Sequence, residues 1–406
     1  MLADFGRLET ILASRPAASL DAGFASRVLS RMHADQQGFA QAALFPARRF
    51  AMRTVLKLAA SLALCAGGFA FWWRTREHGE LRVASAAQSI EAKAIDQALD
   101  WFAHTQEKSG AWDATKWQGN KQYEVGLTGV ALLAFMKHAE TGGKDAYAGV
   151  VRRAIDYLVR QQDAQGAIGP ACSGRMYNHG IATVALLEAY RKTGSGTLRE
   201  PIARAVGYIL DQQLDSGGWG YERSAGQQAN TSISFWQLQA LELAHTAKFG
   251  DSEAACRRGL RWLSGVIDGN GLVGYESRGD FPHGSDTLTA MGAVCLGTAR
   301  RSADGASQEA GRVHRALQSV AAKIDPQADF YRCFFLARAA SMTGDPRYDQ
   351  PLARLRQSLV AVRSTAADAA GSWEPVGAWS SEGGRIFSTA MATLSLQTSR
   401  EDANVL

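Results

Sequence analysis

Ile202 to Tyr221 reads IARAVGYILDQQLDSGGWGY, and from Thr231 the chain continues TSISFWQLQALELAHTAKFG. The first stretch is an amphipathic helix running into a Gln- and Gly-rich turn; the second is a helix apolar on almost every side. The same pairing returns about six times between Ala94 and the C-terminus. Equivalent aromatic positions, Trp101, Tyr157, Tyr208 and Trp262, lie roughly 50–56 residues apart. Self-similarity at that period identifies a repeat architecture and decides the fold before any single helix is assigned.

The two kinds of helix predict two layers. In VRRAIDYLVRQQ (residues 151–162), Ala154, Ile155, Leu158 and Val159 share one face while the arginines point away, as in an outer helix. GIATVALLEAY (Gly180 to Tyr190) and TLTAMGAVC (Thr287 to Cys295) are apolar all round and must be buried on several sides. The first and last copies, ending GAWDATKW and GSWEPVGAW, look like internal copies and not like polar caps. A closed ring removes the ends that an open solenoid has to cap. The expected fold is therefore all-α, an (α/α)6 toroid of about six helix pairs over residues 91–402.

Composition excludes some function classes. A chain of 406 residues with 46% hydrophobic and 20% charged residues has an ordinary globular balance. A net charge of +5, dispersed and without a block of like charges, gives no case for a nucleic-acid partner. Ten tryptophans, many beside glycine turns, point to wedges between helices or to an aromatic-lined cavity. Cys172, Cys256, Cys295 and Cys333 are scattered without a CxxC pair, so no metal site and no disulfide follows from their spacing.

One segment stands apart. TVLKLAASLALCAGGFAFWW, Thr54 to Trp73, carries only Lys57 as a charge and is about as long as a bilayer span. Trp72 and Trp73, followed by Arg74 and Arg76, read as an interfacial anchor. Arg48, Arg49 and Arg53 precede the span, whereas Arg74, Arg76 and Arg82 follow it among Glu77 and Glu80. The bias is small. It favours a cytoplasmic N-terminal segment (1–53, short amphipathic helices), a span over 54–73, a linker over 74–90 and a toroid on the outer side. Met52 as the true start is an open alternative, because MRTVLKLAASLALCAGGFA has signal-peptide character.

The turns QQLDSGGWGY, TQEKSGAWDA and GSWEP resemble the Q-W repeats of squalene and oxidosqualene cyclases and of protein prenyltransferase beta subunits. The resemblance spans roughly Ala94 to Thr398, weakest in the fifth copy, RVHRALQSVAAKID. MYNHGIATVALLEAY, DTLTAMGAV, DFYRCFFLARA and GGRIFSTAMATLSL look closer still to bacterial membrane-anchored proteins built of these repeats. The superfamily implies a toroid whose active cavity lies at the ring's centre. Inner helices would begin at one rim, near Glu124, His179, Thr231, Asp286, Asp329 and Arg385.

The family's chemistry is only partly present. Class II cyclases use a D-x-D-D-T cluster, in which crowded carboxylates keep one acid protonated. Here the matching segment is His283-Gly284-Ser285-Asp286-Thr287, with a single acid. Prenyltransferases hold zinc with an Asp-x-Cys pair and a histidine beyond an Asp-x-Tyr. The matching positions read Asp286-Thr287-Leu288 and Asp329-Phe330-Tyr331-Arg332, so leucine and arginine replace the thiolate and the imidazole. No metal or other cofactor is implied.

Two function classes stay open. One is a membrane-tethered toroid that binds a lipid-like or peptide ligand without standard cyclase or zinc chemistry. The alternative is an isoprenoid-processing enzyme whose non-standard site uses Asp286, Asp329, His179 and Tyr331, with Trp236, His283, Arg385 and Tyr275 against the ligand. Each candidate also has a plain structural role. Asp286, Asp329 and Thr231 suit helix N-caps; His179 suits a hydrogen-bonded core position; Arg385 suits an ion pair. The turn tryptophans Trp219 and Trp373 suit wedges on outer helices, while Trp236 and Tyr331, on inner helices, are better placed to see the cavity.

Overall fold

The structure, a computed structural model, describes residues 88–140, 145–224, 226–280, 285–299, 307–321 and 329–398. The Thr54–Trp73 segment, the chain before it and His283 lie outside the described residues. Among those described, no helix is long and apolar enough to cross a membrane.

Within the unit from Leu81 to Leu406, the described residues form helices in pairs. They are α1 (88–105), α2 (Glu124–Glu140), α3 (Ala148–Arg160), α4 (Arg175–Thr193), α5 (Arg199–Asp211), α6 (Thr231–Thr246), α7 (Glu253–Gly265), α8 (Ser285–Ala299), α9 (Ser307–Ala321), α10 (Phe330–Thr343), α11 (Asp349–Ala361) and α12 (Ser380–Leu396). Even-numbered helices pack on one another in order, and α12 packs back on α2. From α3 to α11, each odd-numbered helix rests in the outer groove between its two even-numbered neighbours. The expected closed (α/α) ring is what forms.

The layers follow from the side chains. In α3 the buried residues Val150, Ala154, Tyr157 and Leu158 recur at i, i+4, i+7 and i+8, one stripe of an amphipathic helix. Ile155 and Val159, expected on that face, are only half-buried at its edge. In α6 every residue from Thr231 to Leu241 is buried, because the helix is covered by the outer layer, by both ring neighbours and by the ring's interior. Small residues allow the close approach of inner helices: a Cβ at Gly129 would come within 2.9 Å of Ile181, and one at Gly180 within 2.9 Å of Trp236.

The Gln-Gly-Trp turns join one repeat to the next. Gln213 donates from Nε2 to the Gly217 carbonyl of its own turn (2.7 Å) and to Ala255 on the next outer helix (2.9 Å), while its Oε1 accepts from Arg258. Gln106 and Gln162 repeat the pattern with Gly110 and Val150, and with Gly166 and Pro201. Trp219, fully buried, donates its indole N–H to Ile209 O (2.8 Å), and its backbone N–H goes to Ser234 Oγ (2.9 Å). Trp112 and Trp373 make the same indole bond, to Phe102 O and Leu359 O, each 2.8 Å. These tryptophans therefore tie outer to inner helices, as expected of Trp219 and Trp373.

The interior of the ring is filled. Helices α6 and α10 are separated in the ring by α8, yet Phe235 and Phe335 meet edge to face at 4.8 Å. Tyr331 also meets Phe335 edge to face, at 4.8 Å. Fully buried Trp236 and Phe334 complete this plug.

Candidate functional site

A cavity remains above the plug, at the rim where the inner helices begin. It is lined by Tyr123 just before α2, Gly126, Leu127 and Val130 on α2, Tyr177, Asn178 and Ile181 on α4, Trp236 on α6, Tyr331 on α10, and Trp379, Glu382, Gly383 and Phe387 around the start of α12. Its volume is about 80 Å³, room for a small ring or the end of a chain. That lining residues of α2, α4, α10 and α12 come from the first two turns or so of each helix places these N-termini at one rim. Tyr331 stands beside Phe387 (5.6 Å) and Trp379 (6.0 Å), so aromatic faces surround the opening.

The mouth is held open by bonds that fix its backbone. Asn178 accepts from Gly126 N–H (2.8 Å) and donates to Gln122 O (2.6 Å), fastening the start of α2 to α4. Asn120 N–H donates to Glu382 O (3.0 Å) and its side-chain amide to Glu382 Oε2 (2.9 Å), while its Oδ1 accepts from Gln122 N–H (3.1 Å). Gly384, with φ 58° and ψ −159°, kinks α12 against the Trp117 carbonyl, where a Cβ would collide. The rim between the sixth and first repeats is thus a fitted junction.

Phenols carry most of the site's polarity. Tyr177 and Ser232 share a hydrogen bond of 2.6 Å, and the Tyr221 and Tyr275 hydroxyls lie 3.1 Å apart. Burial pushes the Tyr177, Tyr275 and Tyr331 phenols far above the ordinary tyrosine range, so they stay protonated. The buried indole N–H of Trp236 faces the Tyr331 hydroxyl as its side-chain hydrogen-bond partner.

The expected site residues separate into two groups. Tyr331 and Trp236 line the cavity, and Tyr275 joins the phenol group beside it. The others have different employment. Asp286 forms an ion pair with Arg332 at 2.8 Å, so the arginine that stands at the imidazole position meets the acid retained in the other motif. Asp329 caps α10, accepting from Tyr331 N–H at 2.8 Å; desolvation raises its pKa, opposed by the backbone N–H groups of Arg332 and Tyr331. Arg385 is buried and donates to Ser372 Oγ (3.0 Å) and Glu374 Oε2 (2.5 Å).

Thr231 is a correction to the capping expectation. Asn230 is the residue that caps α6, through Ile233 N–H (2.9 Å), while Thr231 Oγ1 donates to Gly274 O (2.7 Å) in the next repeat. His179 is fully buried. Its Nδ1 accepts from Ile168 N–H (2.9 Å), so the proton sits on Nε2, which donates to Ala205 O (3.1 Å). It stands where the second turn has Ile168 in place of tryptophan, and it supplies the link to an outer helix that an indole supplies elsewhere. Desolvation lowers its pKa to about 4.

Tyr123, Tyr177, Trp379, Glu382 and Phe387 were not picked out by sequence. For the first two a signal existed: an aromatic at the start of an inner helix, the register that singled out Tyr331. Trp379 and Glu382 reach the cavity only through the kinked entry to α12, which no pattern announces.

No family model and no curated protein matches the chain. Solved structures do. The α-1,6-mannanase GH76A of a Salegentibacter species is similar over 77% of this chain and 100% of its own, at 10% identity and a TM-score of 0.59. Cellobiose 2-epimerase from Spirochaeta thermophila is similar over 78% and 97%, at 12% identity and 0.59. An unsaturated glucuronyl hydrolase specific for heparin matches over 76% and 96%, at 10% identity and 0.57. At such identities the likeness shows the fold alone: an α/α toroid. That toroid type is shared with the cyclase and prenyltransferase superfamily, but membership in the superfamily is not shown by these matches.

Proposed function

We propose that this protein is a ligand-binding toroid, tethered to a membrane by Thr54–Trp73, that holds the apolar part of a lipid-like or isoprenoid molecule at its mouth. The supporting observation is the lining: aromatic faces from five inner segments over a filled centre, with Glu382 as the single carboxylate among the described lining residues. An aromatic cup with few polar groups favours apolar ligands. Acid-driven cyclisation needs clustered carboxylates, and glycoside hydrolysis needs a pair of them across the scissile bond. The reading as an isoprenoid-processing enzyme draws less support, because Asp286 is paired, Asp329 caps and His179 bridges backbone groups.

A saccharide ligand is the second reading. It is favoured by phenol hydroxyls next to aromatic faces, which can hydrogen-bond and stack a sugar ring, and the mannanase and epimerase neighbours act on sugars. Calorimetric titration with farnesol, cellobiose and mannotriose separates the two. Binding of farnesol alone is expected; binding or turnover of a saccharide alone replaces the first reading with the second. The tether is tested by alkaline phosphatase fused after Leu406, which should be active outside the cytoplasm.

A further inference from the structure

The cavity sets an interior that asks for few hydrogen bonds beside one charge at its rim. The Trp236 indole N–H faces the Tyr331 hydroxyl, Tyr177 shares its hydroxyl with Ser232, and Asn178 spends both ends of its amide on backbone. What the interior presents is therefore mostly ring faces and aliphatic groups. Glu382, part-buried, stands among them and accepts from the Asn120 side chain at Oε2 (2.9 Å). A carboxylate has about four acceptor sites, so this bond leaves most of its capacity unspent. The described lining residues include no Lys, Arg or His to answer the charge. Its field reaches the Tyr123 phenol, whose pKa is raised by burial first and by Glu382 next.

The rings are set as walls and corners. Tyr331 meets Trp379 at 70°, with centroids 6.0 Å apart, and Phe387 at 41° and 5.6 Å. Tyr123, Tyr177 and Trp236 line the same volume. The faces of such rings are electron-rich and attract a cation, most strongly where water is excluded. The kind of cation follows from the donor count. A primary ammonium has three N–H donors, and here it would meet one carboxylate. A methylated ammonium brings the same charge on an apolar surface and leaves no such donors unanswered.

We infer that the end of the ligand held in the cavity is a methylated ammonium, enclosed by the aromatic walls with its charge toward Glu382. This rests on the cavity being a ligand site for lipid-like molecules, and adds to it the charge of the end that enters. The walls accept a branched, methyl-bearing end with or without charge, through the apolar contacts that also favour farnesol. Glu382 and the ring faces add a preference for the charged one. Burying a charge is costly unless it is paired; the carboxylate supplies the pair, and methyl groups reduce the hydration that has to be removed.

Choline and neohexyl alcohol, its neutral analogue with carbon in place of nitrogen, have the same shape and differ in charge. Calorimetric titration of the full-length protein should show choline bound about tenfold more tightly. Ethanolamine, a cation without the methyl groups, should bind about tenfold more weakly than choline. Glu382→Gln keeps an acceptor for Asn120; it should lose most of the preference for choline and still bind the alcohol. Trp379→Leu, at an exposed ring, should lessen the preference too, and serves as the check if Glu382→Gln does not fold. Hexyltrimethylammonium distinguishes the sources: tighter binding than choline marks the head of a lipid-like molecule, equal binding a free small cation, and both support the charged end. Equal binding of choline and the alcohol overturns the inference and leaves the apolar reading intact. A preference unchanged in folded Glu382→Gln overturns it as well, as does ethanolamine bound as tightly as choline. If none of these compounds binds, the inference falls; if farnesol does not bind either, the apolar reading falls with it.

Discussion

Gly371 lies on the backbone of Gln97: its φ is +91°, and a Cβ there would stand 2.5 Å from the Gln97 carbonyl oxygen. The contact joins the last turn of the chain to the first outer helix. Gly110, Gly166, Gly217 and Gly271 make the equivalent contact with Arg153, Arg204, Arg258 and Arg312, each in the following outer helix. The ring therefore closes by the same device that joins its consecutive repeats. Gln397 adds a second closure bond, from Nε2 to Ala134 O at 3.0 Å.

Gly371→Ala should accordingly open the ring at its seam. A side chain at positive φ costs of order 1–3 kcal/mol before the collision with Gln97 is counted. Chemical denaturation should show a loss of at least about 2 kcal/mol. Gly207→Ala, on α5 where an added Cβ meets nothing within 4 Å, should instead be neutral or stabilise by up to about 1 kcal/mol. Equal effects at the two positions would refute the closure role.

Gln213 joins two carbonyls and one arginine across a repeat boundary. Gln213→Leu keeps the bulk but leaves the Gly217 and Ala255 carbonyls without this donor. The expected cost is about 1–3 kcal/mol, read from urea unfolding. Gln213→Glu should cost a similar amount, because it replaces the amide donor with an acceptor. A silent leucine variant would mean that water serves these carbonyls as well.

His179 makes stability depend on pH in a defined direction. Its folded pKa of about 4 lies below the ordinary histidine value of 6.5, so folding favours the neutral ring. The stabilisation is present above about pH 6.5 and is lost as pH falls toward 4. The full difference is roughly 3 kcal/mol. In unfolding titrations at pH 7 and pH 4.5, wild type should lose most of its advantage over His179→Gln at the lower pH. An advantage unchanged between the two would contradict the bridging role.

Asp286 and Asp329 should respond differently to the same substitution. Asp329→Asn should be nearly neutral, since asparagine caps about as well, while Asp329→Ala should cost about 0.5–2 kcal/mol. Asp286→Asn breaks a partly buried pair with Arg332 and should cost about 1 kcal/mol, less in high salt. Melting temperatures at two salt concentrations provide the check. A salt-insensitive loss at Asp286 would argue for a role other than the ion pair.

Much of the fold was legible from helix faces. The split between amphipathic and all-round apolar helices predicts an inner and an outer layer, because burial is a local demand that each helix writes into its own period. The turn tryptophans were legible for the same reason. The capping of α6 was misread by one residue: Asn230 and Thr231 are both good caps, and only the packing of Gly274 against Thr231 selects between them.

The site was less legible. Tyr331 and Trp236 could be assigned to the interior from their inner-helix positions, but not to a floor and a wall. By sequence Asp286 reads as a helix N-cap or a catalytic acid; its pairing with Arg332, 46 residues on in sequence and 2.8 Å away, appears only in the fold.

What the sequence by itself determined is the repeat, its two layers and the closed ring, since these follow from short-range periodicity and from end copies that lack polar caps. Tertiary structure alone decided which side chains converge. Tyr123, Tyr177, Trp236, Tyr331 and Trp379 are spread over more than 250 residues of chain, and they share one cavity. Their distances are set by the angle and spacing of packed helices, through glycine contacts such as Gly129 on Ile181 and the kink at Gly384. Those quantities depend on all the helices at once, so no local stretch of sequence can specify them.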